Sequence, residues 1–195
     1  MENNEKILTG EESLKIITDM INRTKVNFSQ SIFHLLLWGW LIFACSLAEY
    51  LLQRYTAFAK PWLVWYLTIP GVLVSMIFGF LKGRKARIYT YGDMINMWTW
   101  LGYLVTMIIL FILMKESLEN VPPFVLMLTG LPTFISGFTI KFKPLILGGV
   151  SMWLLSLVAL FGGQVLAPFA VPVAMVTGFL IPAYLLKRME SHDTI

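Results

Sequence analysis

Residues Phe28–Leu52 read FSQSIFHLLLWGWLIFACSLAEYLL, and no charged side chain stands between His34 and Glu49. With Ile32, Phe33, Tyr50 and Leu51 on its flanks, this run is long enough as a helix to cross a hydrocarbon layer about 30 Å thick at about 1.5 Å per residue. Five more runs of the same kind follow. They are Trp62–Leu81, Ile95–Met114, Phe124–Ile140, Pro144–Phe161 and Ala167–Leu186, none of which contains Asp, Glu, Lys, Arg or His.

Composition agrees with that reading. Hydrophobic residues make up 57% of the 195-residue chain and charged residues 13%, against about 25% charged in soluble domains. The mean hydropathy is +0.74. A net charge of +4 could suggest nucleic acid. The basic residues, however, lie at helix ends rather than in a patch with interleaved aromatics, so the lipid bilayer is the expected partner and nucleic acid is not. Cys45 is the single cysteine and sits inside the first run, which excludes an internal disulfide and any CxxC metal or redox site. The first 27 residues are polar and acidic-rich, with no short apolar region ahead of a cleavage site, so no removable signal peptide is expected.

The expected fold class is all-α: a polytopic membrane protein with six transmembrane helices arranged as three hairpins, preceded by a cytoplasmic amphipathic helix. That preceding helix, in residues 1–28, starts near Gly10 from the capping-box pattern Thr9-Gly10-Glu11-Glu12. Leu14, Ile17 and Ile21 recur on one face while Glu11, Lys15, Asp19 and Arg23 populate others, so it should rest on the membrane surface or on its own bundle. The transmembrane domain occupies 29–188 and a cytoplasmic tail 189–195.

Prolines and glycines punctuate the runs. Pro61, Pro122, Pro123, Pro144 and Pro168 stand at expected helix starts. Pro70, Pro132, Pro172 and Pro182 fall inside runs and predict kinks in the second, fourth and sixth helices. The uncharged stretch from Pro144 to Leu186 must double back on itself, and Gly162-Gly163-Gln164 is the expected turn.

Lys6, Lys15, Arg23 and Lys25 precede the first span; Lys82, Arg84, Lys85 and Arg87 follow the second, Lys141 and Lys143 the fourth, and Lys187 and Arg188 the sixth. Only Arg54, Lys60 and Lys115 fall on the opposite side, so twelve of the 15 basic residues share one face. The positive-inside rule then places both termini in the cytoplasm. Tyr55, Phe58, Trp62 and Trp65 should mark the outer interface, and Tyr89, Tyr91, Trp98 and Trp100 the inner one.

The second, fourth and sixth helices each carry three small residues four apart: Gly71, Ser75 and Gly79; Thr129, Thr133 and Gly137; Ala170, Ala174 and Gly178. Each set ends in Gly-Phe, and an offset of 58 residues carries Gly79 onto Gly137 and Trp40 onto Trp98. Four-residue spacing stacks small side chains on one face and lets backbones approach, so these positions are expected helix-packing seams. The pattern suggests an out-and-back unit used three times, related by an axis along the membrane normal.

His34 and Glu49 are the only ionisable side chains at the ends of, or within, an apolar run, and they are the candidates for a ligand-binding or gating role. Fifteen residues separate them, roughly 22 Å of helix, so they cannot touch. His34 at the inner end suits a hydrogen-bonded or headgroup-reaching imidazole, and Glu49 at the outer end an interfacial carboxylate near Arg54 or Lys60. The stripe His34, Trp38, Leu41, Cys45 and Glu49 follows helical spacing and should face other helices rather than lipid. HExxH, GxSxG, P-loop and Rossmann fingerprints are absent, so no catalytic residue, cofactor or metal is expected.

Glu11-Glu12-Ser13-Leu14 with Ile17, the EESLxxI pattern, followed by Leu36-Leu37-Trp38-Gly39-Trp40-Leu41 (LLWGWL), resembles a set of small uncharacterised bacterial inner-membrane proteins. The likeness covers about the first quarter of the chain and implies an inner (plasma) membrane location, without bringing an activity. The expectation is a non-enzymatic membrane component that binds a partner protein or lipid. A small-solute transporter or channel-like protein is the alternative, and a lipid-modifying enzyme built on Glu49 or His34 is the third class.

Overall fold

A computed structural model describes residues 10–56, 58–83, 91–115 and 121–192, all helical apart from short connections. The elements are α1 (Gly10–Tyr55), a 3-10 stretch (Pro61–Leu67) running into α2 (Thr68–Gly83), α3 (Tyr91–Leu113), α4 (Val121–Thr139), α5 (Lys143–Phe161), α6 (Gly163–Met175), a π-helical stretch (Val176–Leu180) and α7 (Ile181–His192). Six spans are long and apolar enough to cross a membrane: Ile32–Tyr55, Pro61–Leu81, Tyr91–Leu113, Val121–Thr139, Lys143–Phe161 and Gly163–Met189. This is the architecture of a multi-pass membrane protein.

The first difference from the sequence reading is α1 itself. It runs unbroken through the segment expected to be a separate surface helix and into the first span. Neither glycine nor proline occurs between Gly10 and Gly39, so nothing in the backbone chemistry stops the helix there. The side chains of the expected amphipathic face and the Lys82–Arg87 cluster lie outside the described residues.

The spans form a row of neighbours: α2 packs on α1, α1 on α6 and α7, α6 on α5, α5 on α4, and α4 on α3. The closest pair is α4 and α5. A methyl group on Gly137 would lie 2.6 Å from the Ile146 backbone nitrogen, and one on Gly149 would lie 2.8 Å from the Phe134 nitrogen. Only hydrogen in place of a side chain lets the two backbones meet at that distance. The turn between them is tight: Phe142 N–H bonds to Gly137 O at 2.8 Å and Lys141 N–H to Phe138 O at 3.1 Å. These two bonds form a Schellman motif with Lys141 at the left-handed position, φ 54°.

The core sits where α1, α4, α5, α6 and α7 converge. Leu126, Met152, Ala174 and Ala183 are wholly buried there, with Met175 and Phe179 beside them. By contrast, α2 and α3 lie at the two ends of the row and present most of their apolar side chains outward, as helices bathed in acyl chains do.

Prolines fall differently from expectation in two places. Pro70 lies in the first turn of α2, because the second span opens as a 3-10 stretch, Pro61–Leu67, that runs into α2 at Thr68. Pro168 is interior to α6, which begins at Gly163, earlier than expected. Gly163 adopts φ +60° and turns the chain back after Gly162 closes α5 on Val158 O. At the far end α7 runs to His192.

Candidate functional site

The stripe of α1 from His34 to Glu49 is covered along its length by α2 and the 3-10 stretch. Phe33 stacks on Phe78 with centroids 3.6 Å apart, and the His34 ring lies 6.0 Å from the same phenyl group. One turn and more along, Leu41 and Trp38 lie over Gly71, where Leu41 Cδ2 leaves no room for a methyl group. Cys45, 1% exposed, donates its thiol hydrogen to Val64 O at 3.4 Å. Glu49 accepts a 2.8 Å hydrogen bond from the indole Nε1 of Trp65. That indole takes the place of Arg54 and Lys60, the partners expected from sequence. An indole is donor-only, so it satisfies a carboxylate oxygen without bringing a second charge into the span.

His34 and Glu49 thus face the same neighbouring helix at opposite ends. Among the described residues no three of His, Cys, Asp and Glu are grouped as metal ligands would be. A general acid–base pair needs hydrogen-bond reach between its members or to a common substrate. The helical separation of these two denies that.

The small-residue triads do not behave as three copies of one seam. Gly71 meets α1, Ser75 is half-buried, and a methyl group on Gly79 would meet nothing within 4 Å. In α4, Thr129 faces α3, sharing a 2.9 Å hydrogen bond with the Tyr103 hydroxyl. Thr133 folds back onto Thr129 O at 2.7 Å and reaches Met152 Sδ at 3.8 Å, while Gly137 faces α5. Ala170 and Ala174 are buried in the core, and Gly178 sits in the π-helical stretch with its Cα 2.9 Å from where a methyl on Gly148 would stand.

Residues that the sequence reading passed over form a polar line between α3 and α4. Trp100 Nε1 donates to Ser136 Oγ at 3.2 Å, and Ser136 Oγ donates to Asn96 Oδ1 at 2.5 Å. With Tyr103 these define positions 96, 100 and 103, one face of α3. Trp100 was expected at the inner interface beside Trp98; Trp98 is 60% exposed, whereas Trp100 turns inward. A search for ionisable groups alone misses this line, but the spacing of Asn, Trp and Tyr in an apolar run carries the signal.

A groove of about 500 Å³ lies along α1, lined by Phe33, Leu36, Leu37, Trp40 and Leu41. Its flanks are set by contacts already in place. Phe33 and Leu41 reach α2 through Phe78 and Gly71, and Trp40 Nε1 donates to the Tyr184 hydroxyl of α7 at 3.3 Å. The groove is apolar, open at the side and within the depth of the first span. Comparison with protein-family models, with characterised proteins and with solved structures finds no match to this chain.

Proposed function

We propose that the protein is a non-catalytic membrane component that works by binding a lipid or a partner protein, with three out-and-back helix pairs (α1–α2, α3–α4, α5–α6/α7) and both termini in the cytoplasm of a bacterial inner membrane. The observation that supports this most directly is the filling of the bundle centre. Leu126, Met152, Ala174 and Ala183 close it with apolar atoms, so a solute would have to displace packed side chains to pass. The groove on α1 instead opens sideways into the bilayer, which suits a binding partner that lives there. Glu49, held by one indole and remote from His34, supports binding or anchoring over chemistry.

The N-terminal segment and the Lys82–Arg87 loop supply the cytoplasmic contact surface in this reading, and position 15 is suited to a photo-reactive side chain. Irradiation of intact membranes carrying that variant is expected to give a discrete crosslinked species. Purified protein in sealed vesicles is expected to leave small neutral solutes where they are. Uptake of a solute by those vesicles, with no crosslinked species in membranes, would replace this reading by the transporter alternative.

A further inference from the structure

We infer that the groove on α1 holds an acyl chain of an anionic phospholipid whose phosphate is met by the basic end of α7. The inference rests on the binding reading above and names the ligand of its groove. Two observations lead to it independently. The first is the lining: Phe33, Leu36, Leu37, Trp40 and Leu41 bound a shallow apolar groove of about 500 Å³ at acyl-chain depth, with an open side facing lipid.

The second observation is charge at one end of that surface. Tyr184 is joined to Trp40 of the groove by the 3.3 Å indole–hydroxyl hydrogen bond. Lys187 and Arg188 follow Tyr184 by three and four residues, so they share its face of α7 one turn on. Both are exposed. Because α1 runs antiparallel to the α6–α7 span, with Tyr50 against Phe169 and Gly39 against Phe179 and Leu180, the turn of α7 after Tyr184 lies level with the Phe33 end of the groove. The end with Lys187 and Arg188 is where the spans meet headgroups. A lipid seated with its tail along Leu36, Leu37 and Trp40 therefore brings its phosphate to the exposed Lys187 ammonium. Basic side chains near a membrane surface favour anionic over zwitterionic headgroups by about fivefold each.

The test uses the full chain in phosphatidylcholine vesicles, with brominated phosphatidylglycerol or brominated phosphatidylcholine as the quencher of tryptophan emission. Trp40→Phe defines the part of the emission that comes from the groove. The expected result is stronger quenching of that part by brominated phosphatidylglycerol at equal mole fraction, with the preference falling about fivefold for Lys187→Gln. The change lies on an exposed position, and retention of helicity by circular dichroism confirms folding. Equal quenching by the two lipids overturns the inference, as does a preference that survives Lys187→Gln. Either outcome leaves the binding reading standing if position 15 still captures a partner, whereas solute uptake into vesicles removes that reading whatever the quenching shows.

Discussion

Trp65 donates its indole hydrogen to Glu49, a carboxylate at the outer end of a membrane span, and so satisfies one of its oxygens. Hydrogen bonds between transmembrane side chains contribute about 0.6 kcal/mol on average and up to about 1.7. Trp65→Phe is expected to lower stability toward the upper end of that range, because it leaves a carboxylate without its donor. Glu49→Gln keeps an acceptor for the indole and is expected to cost less. Denaturation of the detergent-solubilised protein, followed by loss of helical circular dichroism, ranks the two. Lys141 offers a substitution of opposite sign. A side chain at φ 54° costs about 1–2 kcal/mol relative to the right-handed region, a cost glycine does not carry. Lys141→Gly is therefore expected to raise the midpoint of the same denaturation, at the expense of one basic residue in the turn.

Between helices, substitutions at glycine separate the contacts that hold the fold from those that do not. Gly149→Leu drives a side chain into the Phe134 backbone and is expected to cost at least the 1–3 kcal/mol of an overpacked core, whereas Gly79→Leu meets open space and should be near neutral. Thermal aggregation in detergent distinguishes them. Much at this scale was readable beforehand. Span number and approximate limits follow from run length, and the turn at Gly162-Gly163 follows from an uncharged stretch too long to cross once. Which face of each helix meets which neighbour was not readable. Thr129, Thr133 and Gly137 look like one stripe on a helical wheel, yet the fold divides them, with Thr129 bonded to α3 and Thr133 and Gly137 turned to α5. The reason is physical: an apolar run has no solvent-facing side, so periodicity marks a face without naming its neighbour. The stripe from His34 to Glu49 was recognisable as a contact face, but its indole and carbonyl partners depend on the 3-10 entry of α2. The polar line Asn96, Trp100 and Tyr103 was legible in spacing and was hidden only by attention to charged residues.

Among the described residues, burial is concentrated in α1 and α4–α7, while α3 has no buried residue and packs chiefly on α4. Hydrogen–deuterium exchange in mild detergent is expected to show α3 opening before α5, and Tyr103→Phe should widen that difference by removing one of its hydrogen-bonded ties to α4. A membrane-impermeant maleimide is expected to leave the native Cys45 unmodified until the protein is denatured, since the thiol is enclosed against Val64. In a background without that thiol, Val165→Cys should react from outside intact cells and Lys141→Cys only after the membrane is opened. The π-helical stretch Val176–Leu180 has a bearing on how the last span is aligned. A π turn carries one residue more than its α counterpart, so it acts as a phase adjuster between α6 and α7. Winding the same residues as regular α-helix would instead swing everything downstream through about 100°, the rotation of the one residue that the π turn absorbs. Tyr184 would then turn away from Trp40, and the last span would be fully helical yet wrongly clocked against the first.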